Sequence, residues 1–235
     1  MDLIYGRNAV FEALKSRRKV YEMNAQEDSN EDLIKIAKEK KVKIIMKTRK
    51  ELDKLTKNKH QGIILRVEEY GYKELDYVLK NSRNKYPFIV LLDGIEDPHN
   101  LGAILRGCDA AGVDGAVITK HNSVKVNPTV AKVSTGAIEH VNVVLAVNLR
   151  NIIDKLKKEG FLIVGSDSEG DKKYNEVDYK CPLALIIGSE GKGLRELTRK
   201  LCDFLVKIPM KGKVNSLNAS VAAGILMFEV NRQRD

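Results

Sequence analysis

Leu183-Ala184-Leu185-Ile186-Ile187-Gly188-Ser189-Glu190-Gly191-Lys192-Gly193-Leu194 changes character halfway along: five apolar residues in succession, a turn holding three glycines, then the start of a helical pattern. An unbroken apolar run of this length reads as a strand buried on both faces, and the turn that follows reads as its exit into a helix. Runs of the same kind flank it at residues 88–92, 115–118, 141–146, 161–164 and 204–208, with helical segments between them. Apolar strands alternating with helices predict a mostly parallel sheet covered on both faces, an α/β domain over residues 87–235. Ahead of it, helical spacing at 8–14 (Val10, Phe11, Leu14) and 33–37 (Leu33, Ile34, Ala37) alternates with strand-like runs at 42–46 and 62–67. That is a second, smaller α/β unit over residues 1–68. Residues 69–86 carry loop residues around a short helix at 75–79, which places a linker there.

The composition suits an ordered globular chain, with 43% apolar and 31% charged residues. No apolar run reaches the roughly 18 to 20 residues a bilayer requires, so a cytoplasmic protein is expected. Cys108, Cys181 and Cys202 are odd in number and widely spaced, and His60, His99, His121 and His140 have no ligand spacing. Neither a disulfide framework nor a metal site is expected. The net charge of +9 is unevenly placed. Residues 1–86 hold 21 Lys/Arg against 14 Asp/Glu, and residues 87–235 hold 20 against 18. The front unit is therefore the candidate surface for a polyanion, with Arg7, Lys41, Arg49, Lys50 and Lys59 as candidate phosphate contacts. A solvated lysine-rich face explains the same residues equally well.

Ligands of open parallel sheets gather at the carboxyl ends of the strands, which directs attention to three segments. The first leaves a strand at Leu92-Asp93, turns at Asp97-Pro98 and enters a helix bearing Asn100 and Arg106. Six helical residues carry Arg106 about 600° on from Asn100, hence some 120° away around the axis. The second is the glycine turn 188–193, which matches neither the dinucleotide nor the P-loop fingerprint. The third runs Ile208-Pro209-Met210-Lys211-Gly212-Lys213-Val214-Asn215-Ser216-Leu217-Asn218 into a helix whose Ala219, Ala222, Ala223 and Gly224 permit close backbone approach. Each alone has an ordinary explanation: an N-cap and a salt-bridged arginine, a tight turn, a capped core helix.

Together and in this order, the three resemble the motifs of the SpoU/TrmH branch of the SPOUT methyltransferases. The D-P-x-N-x-G-x-x-x-R pattern falls on Asp97, Pro98, Asn100, Gly102 and Arg106, G-S-E-G-x-G on residues 188–193, and S-L-N on Ser216, Leu217 and Asn218. Tyr5-Gly6-Arg7-Asn8-Ala9-Val10 and His60-Gln61-Gly62-Ile63 look like the ends of the N-terminal RNA-binding domain of the subgroup that modifies guanosine in 23S ribosomal RNA. The resemblance implies a sheet domain with a deep C-terminal trefoil knot, an exception to the usual absence of knots. It implies transfer of a methyl group from S-adenosyl-L-methionine to a ribose 2′-hydroxyl of RNA by a homodimer whose pocket uses both subunits. Gly188, Ile208 and Leu217 would hold the donor through backbone groups, with Met210, Ser216 and the Ser134-Thr135-Gly136 turn nearby. Arg106 would be the essential arginine, with Asn100, Glu190, Ser216 and Asn218 orienting it, the ribose and the donor. The rivals are the same reaction on tRNA or another rRNA nucleotide, and a ribosome-assembly factor that keeps the fold without catalysis. Two departures stand out: residues 20–26 are more polar than the family's opening strand, and Gly107-Cys108-Asp109 follows the arginine where small or hydroxyl residues are commoner.

Overall fold

The structure, a computed structural model, describes every residue except Arg83, Lys192, Val214 and Asn215. The chain forms two compact units, residues 1–71 with 126–140, and residues 72–125 with 141–235.

The first unit opens β1 (Asp2–Tyr5), α1 (Arg7–Lys15), β2 (Val20–Gln26), α2 (Glu31–Glu39), β3 (Lys43–Lys47), α3 (Arg49–Leu55) and β4 (Ile63–Val67). Its four strands lie in the order β1-β4-β2-β3, with only β2 and β3 parallel. Thr48 and Glu51 start α3 as a reciprocal capping box, Thr48 N–H donating to Glu51 Oε2 at 2.8 Å. The polar stretch 20–26 forms an interior strand all the same. Met23 and Ala25 are fully buried in it, and Asn24, 1% exposed, donates to Glu22 Oε1 at 2.9 Å. A strand needs one consistently apolar face, and Met23 with Ala25 supplies it.

The second unit contributes α4 (Leu75–Lys80), β5 (Phe88–Asp93), α5 (Pro98–Ala110) and β6 (Gly115–Thr119). Leu75 and Val78 of α4 are buried in this unit's core beside Ile89, Leu91 and Val117, so the segment expected to be a linker belongs largely to the domain it precedes. After β6, the stretch 126–140 belongs to the first unit, within a span the sequence reading assigns wholly to the second domain. It carries α6 (Pro128–Val133) and a short 3₁₀ turn, Ala137–Glu139. Val130, Ala131 and Ile138 are buried there, and polar ties that apolar periodicity does not reveal add to them. Arg18 pairs with Glu139 at 3.1 Å, both nearly buried, His140 Nε2 meets Glu12 Oε2 at 2.9 Å, and Lys132 donates to the Lys59 carbonyl at 2.6 Å.

The second unit continues with β7 (Asn142–Ala146), α7 (Leu149–Lys158), β8 (Leu162–Ser166), β9 (Lys172–Lys173), β10 (Leu183–Gly188), α8 (Glu196–Leu201), β11 (Phe204–Lys207) and α9 (Ala219–Arg234). The sheet order is β7-β6-β5-β10-β8-β11-β9, and every pairing is parallel. All six residues of β5 and of β10 are buried, as central strands covered on both faces require. β10 inserts between β5 and β8, so strand order breaks there and the carboxyl ends of β8, β10 and β11 open a crevice. α9 packs on α5 at Gly107, where an added Cβ would stand 2.7 Å from Met227 Cε. Gly224, expected at a tight contact, has open space around it instead. Arg234 fastens the end of α9 by donating to the carbonyls of Tyr86, Tyr179 and Cys181.

Candidate functional site

A cleft of about 820 Å³ opens at the carboxyl ends of β8, β10 and β11, lined by Ser166, Gly188 and Lys207 at those ends and by Ile208, Met210, Ser216 and Leu217 beyond them. Gly188 can only be glycine. A Cβ there would sit 2.3 Å from the Gly193 carbonyl carbon, because Ser189 and Gly193 close the turn with reciprocal backbone hydrogen bonds of 3.1 and 3.0 Å. Gly188, Gly191 and Gly193 all line the cleft, where the missing side chains let a ligand approach the backbone closely. Ile187, Ile208, Pro209, Met210 and Leu217 give the cleft apolar walls. Ser166, Asp167 and Glu169 supply polar ones, and Arg199 pairs with Asp167 at 3.3 Å. Apolar walls with a few polar groups suit a nucleoside that carries a charged tail.

Asn218 ties the three sequence segments together. Its Oδ1 caps α9, accepting from Ser220 N at 2.9 Å and from Val221 N at 3.4 Å. Its Nδ2 donates to Asn100 Oδ1 at 2.9 Å and to Glu190 Oε1. Residues separated by 118 and 28 positions in sequence thus meet at one amide. The two ends of this side chain thus have separate uses: the oxygen caps α9 and the nitrogen joins the other two segments. Asn100 sits in the first turn of α5, whose cap is Asp97, accepting from His99 N at 2.9 Å.

A second cleft, of about 870 Å³, lies on the other side of the glycine turn, and Ser189, Glu190 and Gly193 line both. Glu96, Asp97, Asn100 and Arg195 line the second. Arg195 is fixed by Asp93, which is 1% exposed and accepts from both its backbone N and its Nε at 3.1 Å. Sequence reasoning passed over Glu96, Asp93 and Arg195. The available signal was a carboxylate directly after the apolar run Phe88-Ile89-Val90-Leu91-Leu92.

The remaining predicted residues fall elsewhere. Arg106 is exposed on α5, lines neither cleft and has no polar partner among the described residues. Thr135, with φ 54, and Gly136, with φ 95, form a turn in the first unit and line neither cleft. Arg7 donates to Asn30 and pairs with Asp32, each at 2.8 Å, so part of its charge is already engaged. Lys41, Arg49, Lys50 and Lys59 are exposed on the first unit. Asn215 of the third segment lies outside the described residues. Among those residues, no His/Cys/Asp/Glu group is arranged to hold a metal and no helix is long and apolar enough to cross a membrane.

Comparison with known proteins gives matches along the whole chain. Residues 87–228 match the family described as SpoU rRNA methylase, and residues 3–73 match the domain described as RNA 2′-O ribose methyltransferase substrate binding. YacO of Bacillus subtilis, a chain named for the TrmH family of tRNA/rRNA methyltransferases, is 46% identical over 240 residues, covering 100% of this chain and 96% of its own. Among solved structures, the SpoU methyltransferase AviRb of Streptomyces viridochromogenes, in complex with AdoMet, superposes with a TM-score of 0.86 at 26% identity, over 99% of this chain and 90% of that one. A TrmH/SpoU tRNA-modifying enzyme of A. aeolicus has a TM-score of 0.59 at 30% identity, over 67% of this chain and 79% of its own.

Proposed function

The chain belongs to the SpoU rRNA methylase family and is an S-adenosylmethionine-dependent RNA ribose-2′-O-methyltransferase, and from that premise we propose a narrower activity: methylation of a guanosine in 23S rRNA by a cytoplasmic homodimer. The observation that carries the reading is the Asn218 amide, which joins Asn100 of the second cleft to Glu190 in the wall that the two clefts share. Support for ribosomal RNA comes from the front unit, which matches the substrate-binding domain of RNA 2′-O ribose methyltransferases, and from the match of the A. aeolicus tRNA-modifying enzyme to only 67% of this chain. The family's trefoil knot belongs to the proposal, with the segment that ends at Asn218 threaded back against the glycine turn.

In this reading the first cleft takes the donor, with Gly188, Ile208 and Leu217 contributing backbone groups and Met210 and Ser216 at the rim. S-adenosylmethionine supplies a methyl group activated by its sulfonium. A ribose hydroxyl is a weak nucleophile at neutral pH, so the protein must align it and stabilise the charge it develops. Arg106 is assigned that task. A guanidinium stays protonated and cannot serve as a base, whereas it binds phosphate and a developing alkoxide well.

The exposure of Arg106, away from the clefts of its own chain, is the reason for proposing a dimer. It lies on α5 beside α9, whose Val221, Ile225 and Phe228 form an apolar stripe 36–52% exposed. A second copy covering that stripe would carry each Arg106 toward its partner's cleft. Arg7, Lys41, Arg49, Lys50 and Lys59 are proposed to contact RNA phosphates. The test compares tritiated methyl transfer into 23S rRNA and into tRNA. Transfer to 23S rRNA is expected, abolished by Arg106→Ala with donor binding intact. Exclusive transfer to tRNA would overturn the substrate, and loss of donor binding in Arg106→Ala would overturn the arginine's role.

A further inference from the structure

We propose that the second cleft receives the base of the acceptor nucleotide and that Glu96 selects guanine there. The inference rests on the methyltransferase reading above and goes beyond it by assigning base recognition to Glu96, which the family motifs leave unassigned, with the free amide end of Asn100 beside it. The two clefts share the wall formed by Ser189, Glu190 and Gly193. A base seated in the second leaves its ribose at that wall, beside the Asn218–Glu190 bridge and facing the donor on the other side.

The lining of the second cleft is acidic, and most of its charge is already engaged. Asp97 caps α5, Glu190 accepts from Asn218, Glu196 pairs with Lys200 at 2.6 Å, and Arg195 is held by Asp93. Glu96 is exposed at the cleft and has no polar partner among the described residues. In a chain of net charge +9, a free carboxylate here repels phosphate and accepts hydrogen bonds only. Asn100 is the second observation. It is 6% exposed, and because Asn218 Oδ1 is committed to the α9 cap, Asn218 must donate, which obliges Asn100 to offer Oδ1. Asn100 Nδ2 is left without an acceptor among the described residues, on a buried side chain that lines the same cleft.

A two-oxygen acceptor and an unused amide donor define the complementary ligand. Guanine offers two adjacent donors, N1–H and the 2-amino group, next to the O6 acceptor. Uracil flanks a single donor with two carbonyls. Cytosine and adenine place an amine beside an unprotonated ring nitrogen, which a carboxylate repels. Recognition of an unstacked base through its Watson–Crick edge is the usual mode for RNA.

The test follows methyl transfer into a 23S rRNA fragment carrying the mapped target as guanosine or as inosine, which lacks the 2-amino group. Wild-type protein should favour guanosine by about tenfold to a hundredfold, and Glu96→Gln should erase most of that preference while binding S-adenosylmethionine normally. In parallel, guanosine monophosphate added to protein saturated with S-adenosylhomocysteine should shift the Asn100 side-chain amide resonance, inosine monophosphate less so, and neither strongly in Glu96→Gln. An unchanged guanosine-to-inosine ratio in Glu96→Gln, or an Asn100 amide indifferent to guanosine monophosphate, overturns the assignment. If wild-type protein methylates no RNA yet the amide shift and its loss in Glu96→Gln persist, the rRNA reading fails and the guanine recess stands.

Discussion

Exchanging Asn218 for Asp separates the two tasks this side chain performs. Aspartate keeps an oxygen for Ser220 N and Val221 N, and a carboxylate at a helix N-terminus is as good a cap as asparagine. The other end changes sign. The Nδ2 that donates to Asn100 Oδ1 and Glu190 Oε1 becomes an oxygen facing two oxygens. Losing the bond leaves the buried Asn100 acceptor unsatisfied, at about 1–3 kcal/mol. Glu190 is exposed, so solvent limits its repulsion to about 1 kcal/mol at roughly 4 Å. The total, about 2–4 kcal/mol, falls on the joint that holds residues 216–218 against the glycine turn, not on α9. Donor affinity in Asn218→Asp should therefore drop about tenfold to a hundredfold by calorimetry, with helix content by circular dichroism unchanged. Adding Glu190→Gln restores a donor opposite the introduced carboxylate and should recover part of the loss, a coupling a double-mutant cycle reads directly. Donor affinity equal to wild type in Asn218→Asp, or strictly additive effects in the double variant, would refute the bridge.

Three further outcomes follow from the same geometry. Gly188→Ala places a Cβ 2.3 Å from backbone that cannot yield, so donor binding should be lost in calorimetry while the front unit retains its proton NMR fingerprint. Burial pushes the thiols of Cys108 and Cys202 up to about 12, so iodoacetamide at pH 8 should modify Cys181 well ahead of both by mass spectrometry. The Arg232 hydrogen bonds hold the Glu229 carboxyl below its ordinary 4.5 against the opposing effect of burial. A lowered folded value means the stabilisation is complete above about pH 4.5 and disappears as pH falls through the folded value. The stability gap between wild type and Glu229→Gln in urea unfolding should accordingly be present at pH 7 and close on acidification.

Much of the second unit is legible in sequence because its strands are buried on both faces. Runs such as Leu183-Ala184-Leu185-Ile186-Ile187 leave little alternative, and all six expected runs form strands. Asp2–Tyr5 and Val20–Gln26 are harder to read, being short or rich in polar residues, and their pairing with β4 is fixed by partners distant in sequence. The assignment of residues 126–140 to the front unit was hidden for a related reason: Arg18–Glu139 and Lys132–Lys59 are single polar contacts that leave no periodic trace. At the site, the motifs expose Asn100, Glu190 and Asn218 because their spacing forms a family pattern. Glu96 escapes notice because an isolated exposed glutamate is unremarkable until the cleft around it is known. Arg106 was legible as a residue but not as a location, since periodicity places it on an outward face without saying what covers that face.

The most direct measurement is a nucleotide-resolution map of ribose methylation. Purified protein is incubated with S-adenosylmethionine and protein-free 23S rRNA, and nuclease fragments are sequenced by mass spectrometry. One new 2′-O-methylguanosine is expected, absent when Arg106→Ala replaces the wild type. Methyl groups on a base instead of a ribose, or none on any RNA, would contradict the assignment.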